Sequence, residues 1–222
     1  MDWVALELSV QLAFWTCVLL LPLAIVAGRL LAWRRFPGKR YVEAAIALPL
    51  VLPPTVLGYY LLIAFSVTSP IGKAYQVLLG HGLVFTFSGL LAASMIFNLP
   101  FAVQPVQRAF EAIPPEIREA AWCSGMSKLR TLWHIELPLA WPGVVSSLAL
   151  IFAHTLGEFG VVLMVGGNIS GETRTIAVAI YDRVQAFDNA AAGAMSAFLL
   201  ALSFIAIGLV YGLAHWRLDK NA

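Results

Sequence analysis

Charge is what this chain has least of. Only 12% of its 222 residues are Asp, Glu, Lys or Arg, where a soluble domain carries about 25%. With 60% hydrophobic residues and a mean hydropathy of +0.84, the composition excludes an ordinary soluble domain and points to an integral membrane protein. A net charge of +2 offers no basic surface for nucleic acid. The two cysteines, Cys17 and Cys123, fall in an apolar run and a polar island, so no bridge between them is expected. His81, His134, His154 and His215 are scattered without metal-ligand spacing. No Lys or Arg precedes Arg29, so the basic region of a cleaved signal peptide is missing and the first apolar run is expected to remain as a helix. A phosphate-binding loop is missing too. Gly38-Lys39 runs into Arg40 and Gly72-Lys73 into Ala74, and neither fits G-x-x-x-x-G-K-[ST]. An embedded enzyme would need a clustered nucleophile and base or metal ligands, which the apolar runs do not supply. An ion-coupled transporter usually has ionisable groups at mid-membrane or inverted repeats; here Glu158 alone lies clearly within a run, and no repeat is evident.

What is present is long apolar runs, and a crossing needs about 20 such residues. Five qualify, at 6–27, 44–65, 83–106, 144–165 and 190–213. The stretch 166–189 carries Glu172, Arg174, Asp182, Arg183 and Asp188 and is expected at the surface. Lys and Arg then set orientation. Eleven lie after the first run (Arg29, Arg34, Arg35, Lys39, Arg40), in the island (Arg108, Arg118, Lys128, Arg130) and after the last run (Arg217, Lys220). Three, Lys73, Arg174 and Arg183, lie on the other face. The expected arrangement is all-α with five transmembrane helices, the N-terminus outside and the C-terminus cytoplasmic. Trp3, Trp33, Tyr41, Trp141 and Trp216 fall near the ends of these runs, as interfacial aromatics do. Pro22, Pro49, Pro53, Pro54, Pro100 and Pro105 lie inside them and predict kinks, with Pro53-Pro54-Thr55 breaking the second run near its middle.

The island 108–141 carries its own local signals. Pro114-Pro115 starts a helix with Glu116 and Glu119 at its head. Gly125 suits a left-handed terminator. Ser127 caps a second helix through Trp133 to Ile135, which Pro138 is expected to stop. Glu119-Ala120-Ala121, Gly125 four positions on, Ile135 ten beyond that, and then Leu137-Pro138 resemble the EAA loop of ABC importer permeases. The resemblance implies the type I permease fold, a coupling role for these residues and a partner ATPase dimer. It also implies that ATP and Mg are bound by that partner, with no cofactor in this chain.

Further along, Thr155-Leu156-Gly157-Glu158-Phe159-Gly160, then Gly166-Gly167-Asn168, then Ile180-Tyr181-Asp182 look like the oxyanion importers. Within that group the series is most similar to molybdate permeases; sulfate permeases share the Gly-Glu-Phe-Gly core. The likeness covers most of the chain from about residue 40 onward. It implies a bacterial inner-membrane subunit that pairs with a second copy of itself around an oxyanion pathway, fed by an extracytoplasmic binding protein. For Glu158, a structural or gate-holding role is expected over substrate contact, because a fixed negative charge repels an oxyanion; Arg174 or Arg183 are candidates to neutralise it. Gly157 and Gly160 would let another helix approach closely. Thr55 and Asn98 are candidates to line the pathway or to bond between helices, the commoner use. Ile176, Ile180, Val184 and Phe187 predict an amphipathic surface helix that, with the 166–174 loop, meets the binding protein or forms part of an outer gate, or else caps the bundle.

Overall fold

The apolar runs become helices, and the prolines decide where these bend. In the computed structural model, which describes residues 1–219, every regular element is helical among the described residues. Lys220 lies outside the described residues, as do the side chains of Trp216 and Arg217. Helix α1, Trp3–Trp33, is capped by Asp2, whose carboxylate accepts from the Ala5 N–H at 3.0 Å.

The second run is a bent pair, α2 at Lys39–Val51 and α3 at Pro54–Phe65, turned by 114° at Leu52-Pro53. Each proline disfavours helical backbone in the residue before it, so the double proline ends one helix and opens the next. Helix α4, Pro70–Leu79, follows under a Ser69 cap. The third run is bent by 41° between α5, Phe87–Phe97, and α6, Leu99–Glu111, at Asn98 just before Pro100. Its helix starts at Phe87 rather than 83, because Thr86 supplies the cap by accepting from the Gly89 N–H.

Then come α7, Pro115–Cys123, α8, Lys128–Thr131, and a wide π-type turn, Leu132–Glu136, that leads without a stop into α9, Leu137–Gly157. Pro138 therefore does not stop the second island helix. The Leu137 N–H reaches back five residues to the Leu132 carbonyl, and Pro138, which has no N–H to offer, follows as the chain returns to α-helix. The expected crossing 144–165 is also corrected. It ends at Gly157, Glu158 turns to extended backbone, and a separate short helix, α10, occupies Gly160–Gly166. Helices α11, Ile176–Gln185, and α12, Asn189–Asp219, complete the chain. Among the described residues, three helices are long and apolar enough to cross a membrane, Trp3–Trp33, Lys128–Gly157 and Asn189–Leu209, or up to five spans if each bent pair counts as one.

Core side chains gather in several clusters, two of which set the architecture. In one, α1 lies along α6 and α9, with Leu20, Ala24, Ala102, Val103 and Ile151 between them. Gly143 makes that contact close: a Cβ there would collide with the Ala109 Cβ and sit 2.6 Å from the Pro105 carbonyl oxygen. In the other, α3, α5 and α10 enclose Leu57, Leu61, Phe97, Val161 and Val165. Helix α11 is present but turned from the expected stripe. Its buried face is Ile176, Val178 and Ala179, whereas Val184 is 48% and Phe187 89% exposed. The helix is moored by its first turn, where Ser9 of α1 accepts from the Ile176 N–H at 2.8 Å, and it ends before Phe187.

Candidate functional site

The island folds as a tight helical hairpin. Helix α7 ends in a Schellman motif: the Met126 N–H reaches the Ala121 carbonyl, the Gly125 N–H reaches that of Trp122, and Gly125 stands at φ +79°. Ser127 then caps α8 by accepting from the Arg130 N–H at 3.3 Å. These short-range bonds set the angle between α7 and α8 without help from the bundle. Glu119, Ala120 and Gly125 are exposed and Ala121 is buried. Ile135 and Leu137 are half-buried and Pro138 is exposed where the second arm enters α9. Around Glu119 and Ala120 the hairpin also exposes Ile117 (39%), Trp122 (40%), Leu129 (66%) and Trp133 (63%). Apolar side chains exposed on an otherwise polar hairpin mark a surface for another protein.

One residue that matters here carries no sequence signal of its own. Glu136, between Ile135 and Leu137, is fully buried, and two arginines grip it. Arg29 of α1 donates through Nε at 2.6 Å and through a terminal nitrogen at 3.2 Å; Arg118 of α7 donates through Nε at 3.2 Å. The Arg118 guanidinium lies 3.4 Å from the centre of the Trp33 ring, which meets Phe110 edge-on at 5.2 Å. An acid in a segment about to enter the apolar bundle was the available hint.

The second group lies at the far end of α9. Asn98 is fully buried and donates to the Ser94 carbonyl and to Thr155 Oγ1, both at 2.9 Å, while its oxygen lies 3.1 Å from His154 Nδ1. Ser94 in turn bonds Thr16 of α1 at 2.8 Å. Asn98 thus serves as the interhelical hydrogen-bonding group, and Thr55 is exposed at the start of α3. Glu158 is 8% exposed and accepts from the Val161 N–H at 2.9 Å, with the Phe159 and Gly160 amides also turned to it. It caps the start of α10 with peptide dipoles rather than with a cation. Neither arginine considered for it is its partner. Arg174 faces Asn168, Asp2 and Asp182, and Arg183 faces Asp188; the side chain that approaches the Glu158 carboxylate is the His154 imidazole, at 3.9 Å. Gly160 does allow a close approach, since a Cβ there would meet the Pro54 Cβ at 2.8 Å. A Cβ on Gly157 would meet nothing within 4 Å among the described residues. Phe159 stacks obliquely on Tyr181, with ring centres 4.8 Å apart. Both cysteines are free, and among the described residues no three His, Cys, Asp or Glu side chains gather closely enough to hold a metal ion.

Residues 21–221 match the family described as binding-protein-dependent transport system inner membrane components. The molybdenum transport system permease protein ModB of Azotobacter vinelandii is 45% identical over 216 residues, covering 97% of this chain and 96% of that one. A probable sulfate transport system permease protein of Marchantia polymorpha is 31% identical over 92% of this chain and 72% of its own. Two solved structures of a bacterial alginate ABC transporter share the fold at 16% identity, with TM-scores of 0.78 and 0.75. They cover 96% and 93% of this chain and 78% and 76% of those chains, and the second was solved with an alginate pentasaccharide-bound periplasmic protein.

Proposed function

Because the chain belongs to the family of binding-protein-dependent transport system inner membrane components, we propose that it is the membrane subunit of an ATP-driven importer of molybdate or tungstate. The observation that carries this reading is 45% identity, over nearly the whole of both chains, to a permease named for molybdenum transport. A sulfate importer is the second reading, favoured by the 31% identity to a probable sulfate permease.

In this reading two copies of the chain form the pathway in a bacterial inner membrane, each with five spans, the N-terminus outside and the hairpin and C-terminus in the cytoplasm. The apolar groove between α1 and α9, about 720 Å³ and lined by residues such as Pro22, Trp133 and Trp141, supports contact with a second copy or with lipid. The hairpin, through Glu119, Ala120, Ala121 and Gly125, docks in an ATPase subunit that binds ATP and Mg. Ile135, Leu137 and Pro138 pass its movement into α9. An extracytoplasmic binding protein delivers the anion to the opposite end, where Thr55 and Gly157-Glu158-Phe159-Gly160 belong to the pathway or its gate and Asn98 ties the helices behind them. The break at Glu158 supports a gate, because the short helix α10 can swing about a non-helical residue relative to α9, where one unbroken helix cannot bend. The chain itself catalyses nothing.

The test is uptake by proteoliposomes holding the chain, its ATPase and its binding protein. Labelled molybdate, tungstate and sulfate are offered with and without ATP. ATP-dependent accumulation of molybdate or tungstate, not displaced by excess sulfate, is expected. Preferential accumulation of sulfate moves the assignment to the second reading, and uptake independent of ATP overturns both.

A further inference from the structure

The interior of a helical bundle rarely holds a carboxylate, and where one is fully buried its partners reveal what it ties together. Glu136 has partners on two separate segments. Arg29 sits one turn before the end of α1, 107 positions away, and engages both carboxylate oxygens; Arg118 sits mid-way along α7 and engages one. Side-chain exposure is 23% for Arg29, 16% for Arg118 and 0% for Glu136, so solvent screens these pairs little. Trp33 closes the cluster from the other side, with the Arg118 guanidinium against one ring and Phe110 of α6 against its edge. Three segments therefore meet at one carboxylate, α1, α7 and the π-type turn that begins α9, with α6 packed behind them through Phe110 on Trp33. Elsewhere the hairpin is held by its own backbone bonds.

We propose that Glu136, with Arg29 and Arg118, is a positioning joint that makes the hairpin and the adjacent end of α1 move as one body, so that force on the hairpin reaches α1 as well as α9. This rests on the coupling role of the hairpin given under Proposed function. Arginine suits such a joint because its rigid fork fixes direction as well as distance, which a single lysine ammonium does not. The π-type turn puts the carboxylate on the side of the chain that faces α1.

Two measurements test the joint, one of which needs no ATPase. In the purified full chain in lipid nanodiscs, Glu136→Gln should speed amide hydrogen exchange about tenfold in α7 and at Arg29–Trp33 together, leaving α11 unchanged. Faster exchange in only one of the two segments, or in neither, overturns the joint. In proteoliposomes with the ATPase and binding protein, the same variant should keep ATP hydrolysis within twofold of wild type while anions imported per ATP fall about tenfold. Arg29→Lys, which keeps charge but loses the fork, should give an intermediate ratio. A wild-type ratio in Glu136→Gln overturns the proposal, as does a parallel fall of hydrolysis and uptake in Arg29→Lys at normal assembly. If Glu136→Gln does not assemble, Arg29→Lys decides by the same two readouts. A wild-type chain that imports nothing with any ATPase removes the coupling reading but leaves the exchange result to decide the joint.

Discussion

Helix α9 has a buried glutamate at each end, and the two are held in opposite ways. Glu136, just before it, is neutralised by two guanidinium groups from distant segments. Glu158, just after it, turns to the N–H groups of the next three residues. The first bond set is long-range, so it joins parts of the chain that would otherwise move apart. The second is local, so it closes the start of one short helix and leaves that helix free to move relative to α9. One end of α9 is built as a joint and the other as a break, although both use the same side chain.

Substitutions can separate the two ends, beginning with those expected to do most. Gly125→Asp puts a side chain at φ +79°, which strains the turn by about 1–2 kcal/mol and places a charge on the face proposed to dock; ATP-driven uptake should vanish while the chain still inserts at wild-type amounts. Glu119→Lys should act alike by reversing charge on that face. Normal uptake in both, at equal protein levels on a membrane blot, removes the hairpin from the mechanism. Glu136→Ala leaves Arg29 and Arg118 facing each other without a counter-charge, and thermal unfolding in detergent should report a loss of about 3 kcal/mol. Glu158→Gln keeps an acceptor for the Val161 N–H and should lower stability by no more than about 1 kcal/mol. An equal loss in Glu136→Ala and Glu158→Gln would erase the contrast. Smallest of all, Arg174→Ala breaks half-exposed pairs to Asp2 and Asp182 and should cost under about 1 kcal/mol, less at high salt.

The hairpin was legible because its signals are local. Pro114-Pro115, Gly125 and Ser127 each act within four residues, and the helix, turn and cap stand where those residues put them. The break at Pro53-Pro54 was legible for the same reason. Glu136 was not, since its meaning depends on Arg29, more than a hundred positions earlier, and no period or spacing carries that distance. The end of α9 at Gly157 was hidden by composition: Val161, Val162, Leu163 and Val165 prolong the apolar run straight across the extended residue. The stripe assigned to α11 failed twice: inside the helix the buried face turns to Val178 and Ala179 and leaves Val184 exposed, and beyond Gln185 the backbone turns left-handed at Phe187.

The π-type turn at Leu132–Glu136 has a geometric consequence for any change in chain length there. A turn of that kind holds one residue more than an α-helix would, and each residue of an α-helix subtends about 100°. Deleting a single residue from it would let the helix run on regularly with the upstream segment still on its bearing, whereas a deletion in the regular part of α9 would rotate everything upstream by roughly that angle about the helix axis. An insertion or deletion of one amino acid in that regular part would turn the hairpin to a different compass bearing, away from whatever it serves.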